Sequence, residues 1–136
     1  MPFDRTRHVK NLLDSDEWVP IVNDLGEPVT GAVGIHGVVE RSKTGELVGI
    51  DQIYIRAGHG FPAHIHSSDH ILYVIEGAGV LKVGDESVVM NKGCSFYVPA
   101  NLPHAMRAAN DESLRVLAIG FPHIDLNDRR RMETVK

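Results

Sequence analysis

Cys94 is the only cysteine in the chain. No intrachain disulfide can form, so stability must come from a packed core, and a reducing compartment suits the protein. No stretch approaches the roughly 18 consecutive apolar residues of a spanning helix. The N-terminus also lacks the apolar segment and cleavage site of a secretory leader. Positive charge is not in surplus: 14 Lys and Arg face 18 Asp and Glu, a formal net charge of −4 at pH 7. With no basic stripe to offset that balance, a nucleic-acid surface is excluded. There is no internal repeat, no linker, and no helical periodicity ahead of the last dozen residues. What remains is 136 residues, 43% hydrophobic and 24% charged. That composition describes one globular domain with a single core, expected to be soluble and cytoplasmic.

Histidine is what the chain has in quantity. Four of its eight fall in Gly58-His59-Gly60-Phe61-Pro62-Ala63-His64-Ile65-His66-Ser67-Ser68-Asp69-His70. His64 and His66 are two residues apart, so on an extended strand both rings leave the same face. His70 would lie about 20 Å further along a straight strand, out of reach of a metal–imidazole bond of roughly 2.0–2.1 Å. A shared ion therefore requires a reversal at Ser67-Ser68-Asp69, three residues that favour turns. Ile71 to Ile75 then reads as a new strand, ended by Glu76-Gly77-Ala78-Gly79. A fourth histidine follows in Gly93-Cys94-Ser95-Phe96-Tyr97-Val98-Pro99-Ala100-Asn101-Leu102-Pro103-His104. Here Ser95 to Val98 is a strand, Pro99 to Pro103 a turn, and His104 opens the next strand.

Together these segments resemble the two motifs of the cupin superfamily. The first, G(X)5HXH(X)3E(X)6G, is matched by Gly58, His64, His66, position 70 and Gly77. The second, G(X)5PXG(X)2H(X)3N, is matched by Gly93, Pro99 and His104. Three positions depart from the pattern. His70 stands for the glutamate, Asn101 for the second motif's glycine and Ala108 for its asparagine. Asn101 is able to take the left-handed backbone that glycine usually supplies. The resemblance spans residues 58 to 108 and implies an all-β chain forming one jelly-roll barrel, the double-stranded β-helix.

The flanks fit that expectation. Strands are read at Val33 to Glu40, Leu47 to Arg56, Gly79 to Val83, Ser87 to Met90, His104 to Ala109 and Leu114 to Phe121, with turns every 8–12 residues. Residues 1–30 form an N-terminal arm that packs on the barrel or on a second subunit. Its Trp18 to Val22 suits an edge strand because of Pro20. The barrel occupies 31–123. Residues 124–136 are a tail or a short helix capped by Asp125, with its arginines solvated. The resemblance also implies a homodimer.

Four histidines suit one divalent iron, nickel, zinc or copper ion, with manganese admitted; magnesium prefers oxygen donors. His64, His66, His70 and His104 are the expected ligands. Without the motif's glutamate, four neutral rings leave the ion's full charge in the pocket, favouring an anionic or enolate-like ligand. If His70 stays off the metal it becomes an acid or base. Tyr54 and Tyr73 are the other proton donors considered. Asp69, Asp51, Gln52 and Glu76 are available to orient the rings. Met106 shares the parity of His104, and Cys94 reads as a small buried residue. His36 and His59 fall near the mouth, whereas His8 and His123 have no assignment.

Three functions follow. The first is a metal-dependent enzyme on a small oxygenated organic substrate, which the resemblance narrows to a dioxygenase or a cyclase- or lyase-type activity, the four-histidine set being closest to polyketide cyclases. The second is a binding module or a structural-metal barrel without turnover. The third, a metal-free sugar-nucleotide isomerase, is opposed by the histidine cluster.

Overall fold

The computed structural model describes residues 2–135. Ten strands follow a single helical turn, α1 (Arg5–His8). They are β1 (Val19–Val22), β2 (Pro28–Arg41), β3 (Leu47–Ile55), β4 (His64–Ile65), β5 (Asp69–Val83), β6 (Glu86–Asn91), β7 (Ser95–Val98), β8 (His104–Ala108), β9 (Leu114–Phe121) and β10 (Glu133–Thr134). The pairing forms two layers of a jelly-roll barrel. One runs β1-β2-β3-β9-β5-β7 and the other β6-β5-β8-β4-β10.

The layers share β5. Its residues Asp69 to Gly77 pair with β9, and Ala78 to Val83 pair with β6 and β8. Ile71–Ile75 and Gly79–Val83, read as two strands in the sequence, are therefore one strand that bends between sheets. The bend lies at a register shift between Val74 and Glu76, followed by Gly77 at φ +89°. A β-carbon on Gly77 would come within 1.8 Å of the Ser113 carbonyl oxygen. Gly77→Ala meets both a backbone penalty and a clash, so a loss of at least about 2 kcal/mol is expected. A drop in urea midpoint at unchanged slope would show it; a midpoint equal to wild type would refute it.

Strand β9 shows why the chain adopts this layering. It lies between β3 and β5, and Leu114, Val116, Ala118 and Gly120 are buried while the residues between them are half-exposed. That period of two aims one side chain in two at the core. Ile53, Ile55, Leu72, Val74, Leu81 and Met106 face it from the neighbouring strands.

Both termini are more integrated than the sequence suggests. β1 is an edge strand paired with β2, and its Ile21 is fully buried in the core. Ahead of it the chain crosses its own barrel's outer surface. His8 Nε2 lies 2.6 Å from Glu40, and the Leu12 carbonyl accepts from Gln52 at 2.6 Å. At the other end there is a tail of turns, not a short helix. Asp128 N bonds to the Asp125 carbonyl and Arg131 N to that of Asp128, each spanning three residues. The Asp128 carboxylate takes the Arg130 amide at 2.8 Å, a local bond of the kind that competes with helix propagation. The tail instead buries Leu126, Arg131 and Met132, and β10 then pairs with β4, setting Thr134 opposite His64.

Candidate metal centre

β4 is only two residues long, and its His64 is paired with His104 at the start of β8. Past His66, Ser67 and Ser68 turn the chain into β5, which begins one residue before His70. The expected reversal is thus where the serines stand. The second turn is held against the first: Asn101 has φ +62°, and its amide donates to the His66 carbonyl at 2.8 Å. The left-handed position of the second motif is filled by asparagine, as its short polar side chain permits.

His64, His66, His70 and His104 are all buried. One nitrogen from each of His64, His66 and His104 lies within 4.8 Å of the other two. The outer nitrogens explain the orientation. Nδ1 of His64 lies 2.8 Å from the Pro62 carbonyl, Nδ1 of His66 2.7 Å from that of Ser68, and Nδ1 of His104 2.9 Å from that of Leu102. A carbonyl only accepts, so each Nδ1 carries the proton and each Nε2 presents a lone pair. Nε2 of His66 and Nε2 of His104 stand 3.0 Å apart. Two lone pairs at that distance repel unless a cation lies between them. The donor chemistry therefore fits a divalent transition metal.

His70 sits beside this trio. Its Nδ1 is 3.0 Å from His66 Nε2, and the opposite edge of the ring covers Gly120, where a β-carbon would be 3.2 Å from Nε2. His70 is outside the group whose nitrogens all lie within 4.8 Å.

Burial is the main reason that these rings resist protonation. It holds His64 down at about 3, with His104 adding repulsion, and His66 at about 4 for the same two reasons. His70 is held at about 2 by burial and then by Arg131; His104 is lowered by burial. With folded values below the ordinary 6.5, the unfolded chain takes up protons first as pH falls. Stability is then complete above about pH 6.5 and is lost progressively towards pH 3. Chelator-treated protein should denature at clearly lower urea at pH 5 than at pH 7.5, and equal midpoints would contradict this.

Tyr54 and Tyr73 are not at the site, which corrects the expectation that they donate protons there. On β3 the inward residues are Asp51, Ile53 and Ile55; Tyr54 alternates outward and packs edge-on to Trp18 with ring centroids 5.9 Å apart. On β5 the inward residues are His70, Leu72 and Val74, and Tyr73 is 44% exposed. None of the four side chains expected to orient the rings does so. Asp69 accepts from the Tyr97 hydroxyl and the Ala100 amide, Gln52 faces the arm, and Glu76 lies by Arg115 on the surface. Asp51 contacts other partners. His123 Nε2 lies 2.9 Å from its Oδ2, and Arg131 Nη1 donates to the same oxygen at 3.0 Å. Met106 lines the cavity as expected, His59 lies over Gly31 outside it, and Cys94 is only half-buried.

His123 went unread in the sequence, and Arg131, expected among the solvated arginines of the tail, is only 5% exposed. They are 72 and 80 positions from Asp51, and no spacing rule connects them. The apolar Leu126 and Met132 around Arg131 were the one hint that this stretch returns to the core. The cavity that Arg131 and the four histidines border is otherwise apolar, with Ile53, Phe61, Leu72, Met106 and Met132 on its walls.

A family model described as "Cupin domain" matches residues 51–120. An uncharacterised protein of Methanocaldococcus jannaschii is 26% identical over 68 residues, covering 50% of this chain and 54% of that protein. The match thus spans about half the length of that relative. Among solved structures, the polyketide cyclase RemF from Streptomyces resistomycificus superposes with a TM-score of 0.70 at 18% identity, covering 94% of this chain and 84% of that one. KdgF from Halomonas sp. gives 0.65 at 20% identity, covering 80% and 90% respectively. At these identities the likeness is one of fold. No helix among the described residues is long and apolar enough to cross a membrane.

Proposed function

The chain belongs to the cupin family, and from that premise we propose that it is a mononuclear metal-dependent enzyme acting on a small oxygenated organic substrate. The observation that carries the reading is the trio of imidazoles whose Nδ1 protons are engaged by backbone carbonyls, leaving three Nε2 lone pairs turned towards one another. His64, His66 and His104 hold one divalent ion. His70 joins as the fourth ligand by a half-turn of its ring, which exchanges Nδ1 for carbon and brings Nε2 to the edge facing His66.

Were an ion held by these imidazoles in six-coordination, it would keep two positions for substrate. A bound ion would supply Lewis acidity, polarising a carbonyl and stabilising an enolate. The protein's part is to hold the rings in one tautomer, exclude water with an apolar wall, and add positive charge through Arg131. The likeness to a polyketide cyclase favours cyclase- or lyase-type chemistry over oxygen chemistry.

Elemental analysis tests the reading first, followed by turnover. One equivalent of iron, nickel, zinc or copper per chain is expected. Exchange of α-protons in a β-dicarbonyl panel, without oxygen uptake, would favour the cyclase or lyase type; uptake with diketones, flavonols or thiols would favour a dioxygenase. Absence of metal after reconstitution would overturn the proposal. A second reading, a barrel that binds metal or ligand without turnover, is supported by the small cavity of about 40 Å³. Inert zinc with no exchangeable position would favour it. The proposal includes a homodimer, supported by the groove of Trp18, Pro20, Val33 and Tyr54 on the outer face; light scattering tests this.

A further inference from the structure

Arg131 is an unusual residue to find beside a cluster of metal-ligand histidines. It is only 5% exposed, and it lines the same cavity as the four imidazoles. A guanidinium has five N–H donors. Both protons of Nη1 are engaged, one by Asp51 Oδ2 at 3.0 Å and the other by the Ile124 carbonyl. Among the described residues nothing accepts from Nε or Nη2. The edge formed by Nε–H and one Nη2–H is thus left without a protein partner, yet it is not sealed from water-sized groups: the fully buried atoms without a partner are Asp51 Oδ1 and His123 Nδ1. That edge has the geometry of a side-on, two-bond grip on a carboxylate.

The surroundings agree. Asp51 balances one unit of charge, but its Oδ2 is shared by Arg131 and His123. Asp51 lies outside the lining, and no anionic group borders the cavity. The walls nearby are Phe61, Leu72, Met106 and Met132, which suit a short hydrocarbon body. A volume of about 40 Å³ holds roughly three water-sized groups. A fused-ring polyketide does not fit in it.

We propose that Arg131 is the anion-recognition residue of this cavity, and that the ligand is a small carboxylate or enolate gripped by the Nε–Nη2 edge with its apolar end against the methionines. This deepens the enzyme reading and rests on it for the identity of the pocket, while being tested separately from it. The anionic end would thus be held by the guanidinium of the tail, in the same cavity as the imidazoles.

The experiment compares propionate with propionamide, equal in shape but neutral, by saturable thermal stabilisation of the protein as purified. Wild type should favour propionate by at least about tenfold, and Arg131→Lys should lose about tenfold of its propionate affinity, because lysine keeps the charge facing Asp51 but lacks the planar edge. His66→Ala, deficient in metal, should keep the preference, since Arg131 is intact. No preference in wild type overturns the proposal even if Arg131→Lys fails to fold. Equal affinity in wild type and Arg131→Lys overturns it, as does loss of the preference in His66→Ala with Arg131 in place, which would assign the anion to the metal. Metal content, measured in parallel, reports on the enzyme reading alone.

Discussion

His66→Ala is expected to leave the protein folded and unable to hold the proposed metal. His66 is the one ring in hydrogen-bond range of two others, 3.0 Å from His104 and 3.0 Å from His70. Removing it takes the central ring of the grouped trio, and His70, which stands outside that group, does not replace it. Loss of an orienting partner alone typically costs 10–100-fold in affinity; losing the ligand itself should cost more than about 100-fold. Elemental analysis after dialysis at micromolar metal would then find well under a tenth of an equivalent, against one for wild type. His70→Ala makes the contrast. It keeps the trio, and it should retain metal with weaker affinity. Equal metal content in wild type and His66→Ala would mean that the ion, if present, is held elsewhere.

The second large effect is one of stability. Asp51→Ala should lower stability by about 3–5 kcal/mol, because it strands the buried Arg131 charge and leaves His123 Nε2 without its partner. For a chain of this length that is a fall in melting temperature of roughly 10–20 °C. Asp51→Leu should do no better, since size is not what is lost. Asp51→Leu combined with Arg131→Met should recover much of it, as exchanging both members of a buried pair often does. If the double variant is as unstable as the sum of the singles, the pair is not coupled and the explanation fails. The same pair sets an acid limit. Burial works to raise the Asp51 value, but the His123 hydrogen bond and the Arg131 charge outweigh it and hold the group below its ordinary 3.8. Its contribution is therefore present above about pH 4 and is lost as pH falls through the folded value.

These two residues differ in how far the sequence disclosed them. His66 was legible because strand parity and turn chemistry are local: two residues put rings on one face, and serines reverse a chain. The placements of Tyr54 and Tyr73 were legible too, but by the same parity they point away, since Ile53, Ile55, Leu72 and Val74 fix the inward face. Chemistry favoured the tyrosines and alternation ruled them out. Asp51 shares the parity of Ile53, so its inward aim could be read, though not its partners. Arg131 was expected among the solvated arginines of the tail and is buried instead. Its position follows from Leu126 and Met132 entering the core and from β10 reaching β4, contacts between segments far apart in the chain. Runs of arginine at a terminus usually face water, and here one of three consecutive arginines turns inward.

The carbonyls that hold His64, His66 and His104 in register come from Pro62, Ser68 and Leu102. Main-chain oxygen is present whatever side chain is attached, so exchanging any of these three residues leaves the acceptor in place provided that the turn survives. In most metal centres, the side chains behind the ligands are where single mutations adjust affinity. Here that route is closed for three rings. Inherited change in any metal preference would have to come through His64, His66 and His104 themselves, through His70 beside them, or through the path of the two turns. The sequence around the centre is accordingly free to drift, while the chemistry of its tautomers is not.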